Sequence, residues 1–175
     1  SNMGKFLRFI GILFMGLTSA ITILGGIGTT CVALDATKYD GMEAIAQFQW
    51  LYIFYVLATT AIGVLGIRAT ISLVRGKEKA YKDALIVLVS GAVIGIIHIA
   101  TSRALRGKSM PVDMVVYATV FTLVIFLLFG LPKIKGLVGF EKGDDNGKTA
   151  AGGMTAIVAG MLFLSVQMWA GPTHI

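Results

Sequence analysis

Charge is absent from five long stretches of this chain and crowded between them. Phe9 to Leu34 contains no Asp, Glu, Lys or Arg, and neither do Ala44 to Ile67, Ala84 to Ser102, Met114 to Pro132 or Thr149 to the end. About 20 consecutive apolar residues suffice for a helix to cross a hydrocarbon core of about 30 Å. Gln47 and Gln49 move the start of the second run to Trp50. The pattern therefore predicts spans near 9–34, 50–74, 84–102, 114–130 and 150–170. Transmembrane strands alternate polar and apolar residues over about ten positions, and these runs do not. The expected fold is an all-α integral membrane protein, a bundle of about five transmembrane helices with short loops, in a single membrane domain over 1–175.

Within each run the pattern says little about which face packs inward, because a helix in lipid is apolar all round. Small residues give a better guide. Gly91 and Gly95 on span three, and Gly152, Ala156 and Gly160 on span five, permit the close helix approach of small-xxx-small faces. Gly16 and Ala20 do the same on span one, where Gly25, Gly26 and Gly28 also predict a bend or tilt in a run longer than the core needs. Span four has no Gly before Gly130 and reads as the most lipid-exposed. Trp50, Tyr52 and Tyr55 read as an aromatic belt at a membrane interface; a quinone or lipid contact is the alternative.

Composition agrees with this reading. Only 14% of residues are charged and the mean hydropathy is +0.84, against about 25% charged in soluble domains. Alternating spans place eleven Lys and Arg on the side of the N-terminus and four on the other. The positive-inside bias then predicts a multi-pass cell-membrane protein, N-terminus cytoplasmic and C-terminus outside. The whole net charge of +6 falls on the inner side, so the basic balance reflects topology, and nothing points to nucleic acid. Ser1 and Asn2 read as a tag scar before Met3. The run after Lys5 and Arg8 is too long for a signal peptide, and no cleavage-like site follows it.

Two nonapeptides match at five of nine positions: ATISLVRGK at Ala69–Lys77 and ATSRALRGK at Ala100–Lys108. Each closes an apolar run, and a Gly beside a cation is a common helix stop. A stop alone does not explain Arg103, Arg106 and Lys108 on the outer side. Either the acidic loop one (Asp35, Asp40, Glu43) caps them, or they bind an anion or lipid headgroup, for which the guanidinium fork is suited. Gly91, Gly95, His98, Ser102 and Arg106 share one helix face. His98 is an ionisable residue inside a span, a functional-site hypothesis by default.

The candidate ligand-binding set is thus His98, Ser102, Arg103, Arg106 and Lys108. Catalytic and metal sites are not predicted. Cys31 is the lone cysteine, His98, His174 and Cys31 are too scattered for zinc, and neither DDNG nor DATKYDGME has Ca²⁺-loop spacing. No cofactor is predicted. The sequence favours a non-enzymatic protein that binds or moves a small anionic or lipid-type ligand. The alternative is an accessory subunit of a larger membrane complex. The lipid bilayer is the expected partner, with a homo-oligomer or a larger complex compatible with the small-residue faces. The stretch KIKGLVGF is expected along the inner interface, followed by turn-forming residues in EKGDDNGK.

Overall fold

The computed structural model describes residues 2–39, 43–109, 112–140, 152–158 and 160. Four long helices run up and down in a ring: α1 (Asn2–Leu34), α2 (Gln49–Val74), α3 (Ala80–Arg106) and α4 (Val112–Phe129). A two-turn α5 (Pro132–Val138) follows, and 3₁₀ turns at Ala36–Lys38 and Glu43–Phe48 link α1 to α2. Residues 152–158 are helical. Each of α1 to α4 is long and apolar enough to cross a membrane. The remainder of the expected fifth span and the EKGDDNGK stretch lie outside the described residues.

Helix contacts run α1 to α2, α2 to α3, α3 to α4 and α4 back to α1. Small residues set their closeness. A Cβ on Gly26 would stand 2.7 Å from Thr60 Oγ1, and one on Gly63 would stand 2.5 Å from Ile23. Gly66 is pressed against Ser19. On α3, a Cβ at Gly95 would lie 2.5 Å from Val116 of α4, while Gly91 faces Ile62 and Thr119 at 3.4 Å. Thr155 packs on Gly16, and Gly152 lies beside Val74. The helix of α1 continues unbroken through Gly25, Gly26 and Gly28. Its 33 residues, at about 1.5 Å each, overreach a core of about 30 Å.

Several polar side chains face inward and many large apolar ones face outward. Thr18, Ser19, Thr22, Thr119 and Thr122 are buried, whereas Leu57, Val64, Val93, Ile97, Phe121 and Leu128 are exposed. An apolar surface of this extent is foreign to soluble monomers. One expectation is corrected here. Among the described residues α4 is not the most exposed helix: a third of its apolar window (33%) is buried, against 22% for α2 and for α3. Its inward face uses Val116, Thr119, Thr122, Phe126 and Phe129, so bulk alone did not mark it as peripheral. The central helix is α1, half buried (50%).

The KIKGLVGF stretch forms α5 and then turns through Gly139, φ 46°. Pro132 opens it, its fixed φ already suited to a first turn. The Arg8 guanidinium donates to the Val138 carbonyl at 2.6 Å, meeting one of the carbonyls a helix end leaves open. Val138 and Phe140 join Ile12, Met15, Leu73, Phe126 and Phe129 in the core at this end. Lys133 and Lys135 stay exposed.

Both nonapeptides end their helices as glycine stops. Gly76 has φ 67° and Gly107 φ 73°. After α2, Gly76 N–H donates to Leu73 O and Lys77 N–H to Ser72 O, the paired bonds of a Schellman end. After α3, a single bond joins Gly107 N–H to Arg103 O. Even the second residue of each nonapeptide behaves alike: Thr70 donates to Gly66 O and Thr101 to Ile97 O.

Candidate functional site

The residues singled out by sequence lie where α1 and α3 finish and α2 and α4 begin. Helical spacing divides them. His98 and Ser102, four residues apart, turn toward α2. Tyr52 and Tyr55, three apart on α2, turn back toward them. The Tyr52 and Ser102 hydroxyls are 2.8 Å apart, and those of Tyr55 and Thr101 are 2.7 Å apart. The His98 ring stacks on Tyr55 at 4.3 Å between centroids and 17° between planes, and meets Tyr52 nearly edge-on at 5.4 Å. Tyr52, Tyr55 and Ser102 are each 2% exposed or less, and His98 is 6% exposed. Among the described residues, no hydrogen bond reaches the ring nitrogens of His98, which in a neutral imidazole offer one donor and one acceptor.

Arg106, one turn beyond Ser102, is near enough for its charge to act on both Tyr52 and His98. Lys108 follows the glycine stop and is exposed. The floor of the site is therefore aromatic and polar, and its rim is cationic. Ala33, Ala36 and Ile45 pack with the two tyrosines on the loop-one side.

Arg103 departs from this group. Its Nη2 donates to Asp113 Oδ2 at 3.0 Å and its Nε to Ser109 Oγ at 3.1 Å. Ser109 donates in turn to the other Asp113 oxygen. This triad clamps the turn between α3 and α4. It also sets a cation at one helix C-terminus and an acid in the next helix's first turn, each favoured by the helix dipole. Neither Asp35 nor Arg103 takes part in the expected match of loop-one acids to loop-three bases. Asp35 accepts from Thr37 at 2.6 Å and pairs with Lys38 at 3.8 Å within its own loop, while Arg103 finds its carboxylate ten residues along its own chain. Asp40 lies outside the described residues.

The aromatic-belt reading is corrected for two of its three residues. Trp50 is 68% exposed, but Tyr52 and Tyr55 are buried. A signal for this was present in the sequence. Tyr52, Tyr55, Gly63, Gly66, Thr70 and Leu73 form one helical face, spaced by 3, 8, 3, 4 and 3, and its glycines point it inward. Cys31 is partly exposed and sits on a helix turn, its Sγ 3.9 Å from Ile27 O. His174 lies outside the described residues.

Comparison with protein-family models, with curated proteins and with solved structures finds no match to this chain. What the fold defines is an α-helical bundle with four helices, among the described residues, of membrane-spanning length and apolarity.

Proposed function

We propose that this chain is a non-enzymatic five-span membrane protein that binds a small anionic or lipid-type ligand at its outer end. Its N-terminus lies in the cytoplasm and its C-terminus outside. Arg106 and Lys108 hold the anionic group, and His98 and Ser102 form the polar floor beneath. Arg103 takes a different part from the one its sequence position suggests: it fixes the turn that presents Lys108. The observation that carries the reading is His98, buried between two tyrosines below a cationic rim, its ring nitrogens without a hydrogen-bond partner among the described residues. A neutral imidazole offers one donor and one acceptor, and a ligand oxygen would take the donor.

The test is a thermal melt of the protein in nanodiscs, with inorganic phosphate or phosphatidylglycerol titrated in. A ligand at 100 times its Kd adds about 2.7 kcal/mol, which for a chain of this size raises the midpoint by roughly 5–11 °C. The Arg106→Gln/Lys108→Gln variant loses the increment, measured against its own unliganded midpoint. An increment that persists in the variant contradicts the site. No increment with either probe favours the second reading, an accessory subunit in a larger membrane complex. That reading has its own support in a lateral groove of about 440 Å³ between α1, α2 and residues 152–156, lined by Gly16, Ala20, Ile71 and Gly153.

A further inference from the structure

At the centre of the four-helix ring lies a cavity of about 10 Å³. Its wall is mixed: Thr18, Ser19 and Thr22 of α1, Gly91 of α3 and Thr119 of α4 alternate with Met15, Ile62, Val87 and Leu88. These hydroxyls are at most 6% exposed. Their protons are already engaged. Ser19 donates to Met15 O at 2.7 Å, Thr22 to Thr18 O at 2.7 Å and Thr119 to Val115 O at 2.8 Å. Thr18 and Thr122 share a bond of 2.7 Å. Each hydroxyl oxygen that donates in this way keeps two lone pairs as acceptor. The polar part of the wall is therefore made of acceptors, and among the described residues no other donor side chain lines it.

We propose that this cavity holds one ordered water molecule, which donates to hydroxyls of α1 and α4 and so ties the two helices at mid-bundle. Three features fit that occupant. One water needs about 10–15 Å³ and two to four polar partners, and the cavity offers this volume and these partners. A donor is required, which excludes an anion. Gly91 provides the space: a Cβ there would stand 3.4 Å from both Ile62 and Thr119, close enough to fit and to displace the water.

A structure of the full chain in lipid, at a resolution that shows ordered water, tests this. The expected result is a density peak within about 2.7–3.2 Å of at least two of the Ser19, Thr22 and Thr119 Oγ atoms. In Gly91→Ala, folded with the same helix packing, the peak is lost. An empty cavity in the wild type overturns the proposal. So does a peak with contacts shorter than hydrogen bonds, which would mark a cation, or a peak that survives in Gly91→Ala.

Discussion

Replacing Tyr52 by Phe removes one oxygen from the wall of the candidate site and tests how that wall is built. The Tyr52 hydroxyl sits 2.8 Å from Ser102 Oγ, and both residues are 2% exposed. Interhelical hydrogen bonds in membranes average about 0.6 kcal/mol in double-mutant cycles and reach about 1.7. Stranding a buried hydroxyl costs about 1–3 kcal/mol. Burial this complete places Tyr52→Phe and Ser102→Ala each at about 1–2 kcal/mol, a fall of roughly 2–8 °C in the thermal midpoint. The double variant should fall little further than either single one, leaving a coupling of about 0.6–1.7 kcal/mol. The assay is a double-mutant cycle by reversible denaturation in mixed micelles. Additive effects of the two substitutions would refute the contact, and with it the inward orientation of Tyr52.

Other consequences are as direct. Gly95→Ala should cost about 1–3 kcal/mol by overpacking, because its Cβ would press on Val116 at 2.5 Å; Val116→Ala in the same chain should restore most of the loss in thermal melts. Gly107→Ala should cost about 1–2 kcal/mol, the penalty of a left-handed conformation for a residue with a Cβ; an unchanged midpoint would contradict the helix-stop reading of the second nonapeptide. Arg103→Gln should lower the thermal midpoint yet keep the phosphate or phosphatidylglycerol increment, since Arg103 is engaged by Ser109 and Asp113. Loss of the increment with an unchanged midpoint would return Arg103 to the ligand site.

The legible and illegible parts of this molecule divide along physical lines. Span positions could be read because desolvation penalises charge: the first four uncharged runs overlap α1 to α4, and most of the fifth lies outside the described residues. The helices outrun the expected spans: α3 starts at Ala80 rather than 84 and ends at Arg106 rather than 102. Backbone hydrogen bonding does not stop where the hydrocarbon does. The two glycine stops were legible because left-handed backbone strongly favours glycine. Rotation about each helix axis was not legible from hydrophobicity, since α2 and α4 are apolar on every side. That is how Tyr52 and Tyr55 were read as interfacial and α4 as peripheral. The partner of Arg103 was hidden for another reason. Charge counting by loop assigns acids to a side, not to a side chain, and Asp113 sits in the first turn of α4, beside a charge the count could not pair with it. The group read from sequence as one cluster is two: His98 and Ser102 with Arg106 at one face of α3, and Arg103 at the turn into α4.

The central claim is that a ligand sits at the Arg106 end. Native mass spectrometry of the full chain released from lipid nanodiscs tests it most directly. The account predicts a reproducible extra mass on the wild-type protein that is absent from Arg106→Gln/Lys108→Gln. A wild-type protein that flies bare, or the same mass on both, would contradict it.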